Sequence, residues 1–166
     1  MDFGIKNKVA LVTASSQGLG KGAALSLAKE GVNLVICSRD EKSVNAAAKE
    51  ISASTGVKVI PIAADVSKGE DIDRLISTVK KEFGTVHILV NNAGGPPTGK
   101  ITAISDAEWG KGINLTLMSM IRLTRAVLPI MEQQKWGRVV TIVSITAKQP
   151  VDELLISSTL RPGILG

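Results

Sequence analysis

Five short runs rich in Val, Ile, Leu and Ala, at 9–13, 33–37, 57–63, 87–91 and 138–143, are separated by four longer stretches of helical patterning, at 18–30, 40–54, 68–83 and 106–134. This alternation constrains the fold more than any other feature of the chain. The short runs are nearly continuous in aliphatic residues rather than alternating with polar ones, as strands require when both faces of their sheet are covered. Strands that each return through a helix lie parallel with right-handed crossovers, so the order βαβαβαβαβ specifies an α/β fold built on a doubly wound parallel sheet. The expected strand order is 3-2-1-4-5. With 166 residues, 44% of them hydrophobic, and no repeat or linker, the chain reads as a single domain over 1–166.

Local signals mark the helix ends. Ser67 with Glu70, and Ser105 with Glu108, have capping-box spacing, and Asp40 stands as an N-cap. Gly31 and Gly56 close the first two helices, and Pro129 predicts a kink in the last. Residues 152–166 start one more helix. A six-stranded version of this sheet would have a strand beyond 138–143, so that apolar run is expected at an open edge. Either a partner covers it or the chain is part of a longer protein, and the domain is expected to be C-terminally incomplete.

Between the first strand and first helix lies Thr13-Ala14-Ser15-Ser16-Gln17-Gly18-Leu19-Gly20. Gly18 and Gly20 remove side chains where backbone must approach a ligand, and the helix N-terminus offers free amides and the positive end of a dipole. With Ala23 the spacing is Gly-x-Gly-x-x-Ala, which in this strand-to-helix context points to the pyrophosphate of a dinucleotide on a Rossmann sheet. A plain glycine-rich tight turn is the alternative. At the end of the second strand, Ser38 stands where an acid would take ribose hydroxyls, and Arg39 can meet a 2′-phosphate. NADP is therefore expected, with NAD as the alternative.

These residues resemble the short-chain dehydrogenase/reductase family, 3-oxoacyl-carrier-protein reductases in particular, over essentially the whole chain. The turn is similar to the family's Thr-Gly-x-x-x-Gly-x-Gly with Ala14 in place of the first glycine, and Asn91-Asn92-Ala93-Gly94 matches its Asn-Asn-Ala-Gly. The resemblance implies that Asp65 and Val66 hold adenine, and that Asn92, Ala93 and Gly94 lie along the cofactor. It further implies that Asn114 anchors a water in a proton relay and that Ser144 orients the substrate oxygen. Thirteen residues after Ser144 the family has Tyr-x-x-x-Lys, whereas this chain has Ser157 and Arg161 at those two positions and no tyrosine at all. An aliphatic hydroxyl is a far weaker acid than a phenol, and losing a general acid typically costs about 10² to 10⁴ in rate. Lys148 is the nearest surrogate, with a solvated loop lysine as the plainer reading, while His87 begins a strand and reads as structural.

The expected function is hydride transfer between NADP(H) and a small carbonyl or alcohol. The alternative is a catalytically impaired relative that binds the cofactor as a sensor, scaffold or partner subunit. Net charge is +5 and the pI is near 9.5, but the basic residues are scattered and only 2% of residues are aromatic, so no nucleic-acid surface is expected. Cys37 is the sole thiol, which suits a reducing cytoplasm, reads as a buried strand residue and rules out thiol metal clusters. No uninterrupted apolar run reaches about 18 residues, so no membrane span is expected. In the resembling family the long helix at 106–134 and the one after it are pairing elements, implying a homo-oligomer.

Overall fold

The computed structural model describes residues 2–166. Its five strands, β1 (Val9–Val12), β2 (Asn33–Ser38), β3 (Val59–Ala63), β4 (Ile88–Asn91) and β5 (Arg138–Thr141), form one parallel sheet of order β3-β2-β1-β4-β5. This is the doubly wound arrangement and order expected from the alternation. The helices are α1 (Gly18–Lys29), α2 (Glu41–Thr55), α3 (Gly69–Phe83), α4 (Asp106–Gly112), α5 (Ser119–Gln133), α6 (Leu155–Leu160) and α7 (Pro162–Leu165).

Because successive strand side chains point to opposite faces, β1 feeds two cores. Val9 and Leu11 pack with Leu75 and Val79 of α3 and Leu123 and Val127 of α5. Ala10 and Val12 pack on the other side with Ala24 and Ala28 of α1 and Val44 and Ile51 of α2. Each large aliphatic side chain so buried contributes about 1.5–3 kcal/mol. The edges differ from the centre: β3 is half-buried, and Val139 and Val140 of β5 are 39% and 51% exposed, as the open-edge reading requires.

Asp40 caps α2 by accepting from the Ser43 amide, Gly56 ends it in the left-handed region, and Ser105 with Glu108 closes a full capping box. The second expected capping box does not form. Ser67 gives its amide and hydroxyl to Asp65 Oδ1, a nearer and charged acceptor, and α3 starts at Gly69 with no side-chain cap. The last long helix is also built differently. It runs Asp106–Gln133 with a π-turn at Ile113–Met118 and carries Pro129 inside α5. By length and composition it is apolar enough to cross a bilayer. Arg122 and Arg125 lie on it, however, and Leu123, Val127 and Met131 are buried in the core, which is how a core helix is built.

At the N-terminal ends of the strands, His87 Nδ1 accepts from the Val9 amide at 3.1 Å. Its ring meets Trp136 edge-on at 5.7 Å between centroids. This is the structural role expected of it.

Candidate functional site

The turn after β1 is held from inside by its own polar side chains. Thr13 and Ser15 are fully buried. Thr13 Oγ1 donates to the Asn92 carbonyl at 2.6 Å and accepts from the Asn92 amide at 2.9 Å. Ser15 Oγ donates to the Val12 carbonyl at 2.7 Å and accepts from the Cys37 amide at 3.2 Å. Asn92 Nδ2 donates to the Ala14 carbonyl at 3.0 Å. The ends of β1, β2 and β4 are thus stitched together, and Thr13, Ser15 and Asn92 act largely through the backbone they fix.

What remains facing outward is Ala14, Ser16, Gln17, Gly18 and Leu19, which line an open crevice of about 430 Å³. Gln17 is the N-cap of α1 but makes no side-chain cap bond, and the first turn of α1 carries no acid. The first amides of α1 are therefore available to an anion. Gly20 is buried behind the turn: a Cβ there would collide with the Ala14 carbonyl oxygen and lie 2.6 Å from Asn92 Nδ2. Ala14 itself sits at φ 46°, in the left-handed region where glycine is at ease and a methyl is strained.

Across the crevice stand Ser38, Arg39, Asp65, Val66, Ala93 and Gly94. Arg39 is exposed and Ser38 Oγ donates to the Asp40 carbonyl. Burial works against an ionised Asp65. The hydrogen bonds from Ser67 and the charges of Arg39 and Lys68 outweigh that burial and hold its carboxyl below the usual range. Beneath the turn, burial pushes the Cys37 thiol up to about 12, against a hydrogen bond from the Ala14 amide. It is an inert core group.

Beyond β5, Ser144 caps a short 3₁₀ turn, Ile145–Ala147. Ser157 and Arg161 face this turn from α6 and its C-cap, and both are buried. Ser157 Oγ accepts from Arg161 Nε at 3.0 Å and lies 2.8 Å from Thr146 Oγ1, so its hydroxyl is held on both sides. Burial lowers the pKa of Arg161 from its ordinary value.

Asn114 is placed elsewhere. On the π-turn its side chain donates to the Gly110 carbonyl and accepts from Arg122, and it lines neither the crevice nor the small cavity of about 20 Å³ beneath it. That cavity is lined instead by Thr116, Asn91, Thr13 and Arg161. Thr116 Oγ1 and Asn91 Oδ1 are buried there without a hydrogen-bond partner among the described residues. The sequence reading missed Thr116 because a π-turn rotates the helix faces and leaves no local sequence signal. Lys148 is exposed and, like Ser144 and Ser157, lines neither space.

Residues 8–158 match the family model described as short chain dehydrogenase. The chain belongs to the short-chain dehydrogenase family. It is 37% identical over 163 residues to "Dehydrogenase/reductase SDR family member 4" of Oryctolagus cuniculus, covering 98% of this chain and 62% of that protein. It is 34% identical over 139 residues to a 3-oxoacyl-[acyl-carrier-protein] reductase of Staphylococcus epidermidis, covering 84% and 57%. The crystal structure of L-sorbose reductase from Gluconobacter frateurii, complexed with NADPH and L-sorbose, superposes with a TM-score of 0.97 at 34% identity. That match covers 99% of this chain and 63% of the reductase. The chain thus spans about three-fifths of the length of these short-chain dehydrogenase relatives. Its glycine-containing turn and Asn-Asn-Ala-Gly segment lie side by side at the C-terminal ends of β1 and β4, and the position where the family resemblance implies a tyrosine is filled by the clamped Ser157.

Proposed function

We propose that the chain carries the cofactor crevice and reacting centre of an NADP(H)-dependent oxidoreductase acting between a small carbonyl compound and its secondary alcohol. The observation supporting this most strongly is the crevice. Uncapped amides of α1 face Arg39 and Asp65 across it, at the C-terminal end of the parallel sheet, where Ser144 follows β5. The residues fit a dinucleotide: Gly18 and Gly94 both line the crevice without a side chain, and a Cβ on either would meet nothing within 4 Å, leaving open space for a ligand.

Bound in this crevice, NADPH would supply a hydride to the carbonyl carbon. The α1 amides offset pyrophosphate charge, and the exposed Arg39 guanidinium pairs with a 2′-phosphate, which makes NADP the preferred form and NAD the weaker ligand. Ala93, Gly94 and Val66 line the dinucleotide's path. Ser144 Oγ accepts from the Thr146 amide, which leaves its own proton free to donate to the substrate oxygen. Ser157 is committed to Thr146 and Arg161, so the oxygen takes its proton from solvent. The missing phenol corresponds to about 3–5 kcal/mol of barrier, and turnover is correspondingly slow. The buried Cys37 suits a reducing, cytoplasmic setting. The exposed Ile113, Ile121 and Leu128 along Asp106–Gln133 are the surface through which copies pair as a homo-oligomer.

Thermal shifts with NADPH and NADH, followed by NADPH oxidation over a panel of ketones, test the reading. A larger shift with NADPH is expected, reduced to the NADH level in Arg39→Ala, with turnover that falls in Ser144→Ala. Equal shifts in the unaltered protein would reject the NADP preference. Tight binding with no turnover on any carbonyl would reject catalysis and leave the sensor or scaffold role.

A further inference from the structure

Ser144 and Ser157 come from different elements, and one residue joins them, by its amide to the first and its side chain to the second. Thr146 has no exposed surface. Its amide donates to Ser144 Oγ at 3.3 Å, and its hydroxyl lies 2.8 Å from Ser157 Oγ. Ser157 Oγ accepts from Arg161 Nε at 3.0 Å, and Arg161 Nη1 donates to the Ile142 carbonyl at 3.5 Å, two residues before Ser144. The chain of contacts closes on itself: Ile142, Ser144, Thr146, Ser157, Arg161 and back to Ile142.

The geometry points to Thr146 as a positioning residue for Ser144, anchoring the 3₁₀ turn to α6 through its buried hydroxyl. This rests on the reading of Ser144 as the group that orients the substrate oxygen. A three-residue 3₁₀ turn has little stability of its own, and a 3.3 Å amide-to-hydroxyl bond is too long to fix a rotamer alone. The guanidinium is a donor only, so Ser157 accepts from it and keeps its own proton for Thr146. A charge-assisted bond at one end stiffens such a chain along its length. In place of a titrating acid at position 157, this chain has a strut that holds the neighbouring serine.

The test compares Thr146→Val, which keeps the shape and removes the hydroxyl, with Thr146→Ser, which restores it. Two quantities are read in the NADPH-bound protein: amide hydrogen exchange across 144–147 and steady-state reduction of a ketone. Thr146→Val is expected to speed exchange of the Thr146 amide at least about tenfold. It should also lower kcat about tenfold with the KM for NADPH unchanged. Thr146→Ser should return both to near the original, and in a Ser144→Ala background Thr146→Val should lower kcat no further. Unchanged exchange in Thr146→Val, failure of Thr146→Ser to rescue, or an equal additional loss in the Ser144→Ala background would each overturn the assignment. Should Thr146→Val not fold, Ser157→Ala cuts the same chain one link on, and must speed the same amide or overturn it. Exchange does not depend on turnover, so an unreactive but cofactor-binding protein would reject the catalytic reading while the exchange result still decides the role of Thr146.

Discussion

The turn after β1 and the turn after β5 do their work with different parts of the chain. At the turn from Thr13 to Gly20 the polar side chains of Thr13, Ser15 and Asn92 point inward and bond backbone, leaving amides and small residues to face a ligand. At the Ser144 end the side chains themselves are the chemistry, and Ser157 and Arg161 are tied to each other and to Thr146. A site built from backbone keeps its function through side-chain change so long as the path of the chain is kept. A site built from side chains changes its chemistry with one substitution. The alanine at 14 and the serine at 157 are these two outcomes in one molecule.

The largest effect should come from filling the place in the turn where the backbone path leaves no room. Gly20→Ala puts a methyl against the Ala14 carbonyl and Asn92 Nδ2, neither of which can retreat without breaking the stitch between β1 and β4. A loss of about 3 kcal/mol is expected, at the top of the range for overpacking. It would appear as a lowered melting temperature and loss of the NADPH-induced shift. A variant that still binds NADPH normally would mean that the turn is looser than its hydrogen bonds imply.

Next is the clamp at the other end. Ser157→Ala leaves Arg161 Nε and Thr146 Oγ1 buried without that partner, which should destabilise the protein by about 2 kcal/mol in urea unfolding. A neutral result would show that the Ser144 end is as tolerant as the turn, and the contrast between them would fail.

The fold was legible because it depends on repeated signals. Apolar strands, helical stretches and Asp40 all point one way, and the observed strand order is the expected one. The turn was legible for the same reason, since Gly18 and Gly20 are read against the strand before and the helix after. What could not be read is how the side chains are aimed. The π-turn at Ile113–Met118 turns Thr116 rather than Asn114 toward the small cavity, and an i→i+5 turn has no residue signature. The Ser67 capping box fails because Asp65, two residues upstream, takes the Ser67 amide that Glu70 would have to reach. Thr13 and Ser15 were assigned to the turn correctly, but whether they face in or out is decided by partners in β2 and β4.

A smaller effect of opposite sign sharpens the backbone side of the contrast. Ala14 adopts φ 46°, so Ala14→Gly relieves a strained methyl and should stabilise the protein by about 1 kcal/mol, reduced by the greater freedom glycine gives the unfolded chain. The melting temperature should rise by a few degrees with NADPH affinity kept or improved. A fall would mean that the methyl is packed rather than strained, and that the turn depends on side chains after all.

The smallest effect separates the crevice from the opposite end of the sheet. His87 is neutral in the folded protein, because burial, and then the charge of Lys8, lower its pKa from the ordinary 6.5. The Val9 amide also needs its Nδ1 as an acceptor. An unfolded chain takes up the proton near 6.5. The folded chain takes it up only at lower pH. The His87 contribution is therefore complete above that value and is lost as pH falls from it through the folded pKa. Asp65, in the crevice, is shifted below 3.8, so its contribution is kept until far more acid conditions. Melting temperature should accordingly be level above roughly pH 7, decline gently below it, and decline less in His87→Gln. If His87→Gln declines just as steeply, His87 is not the group that sets the acid sensitivity, and the opposite end of the sheet does not differ from the crevice in this respect.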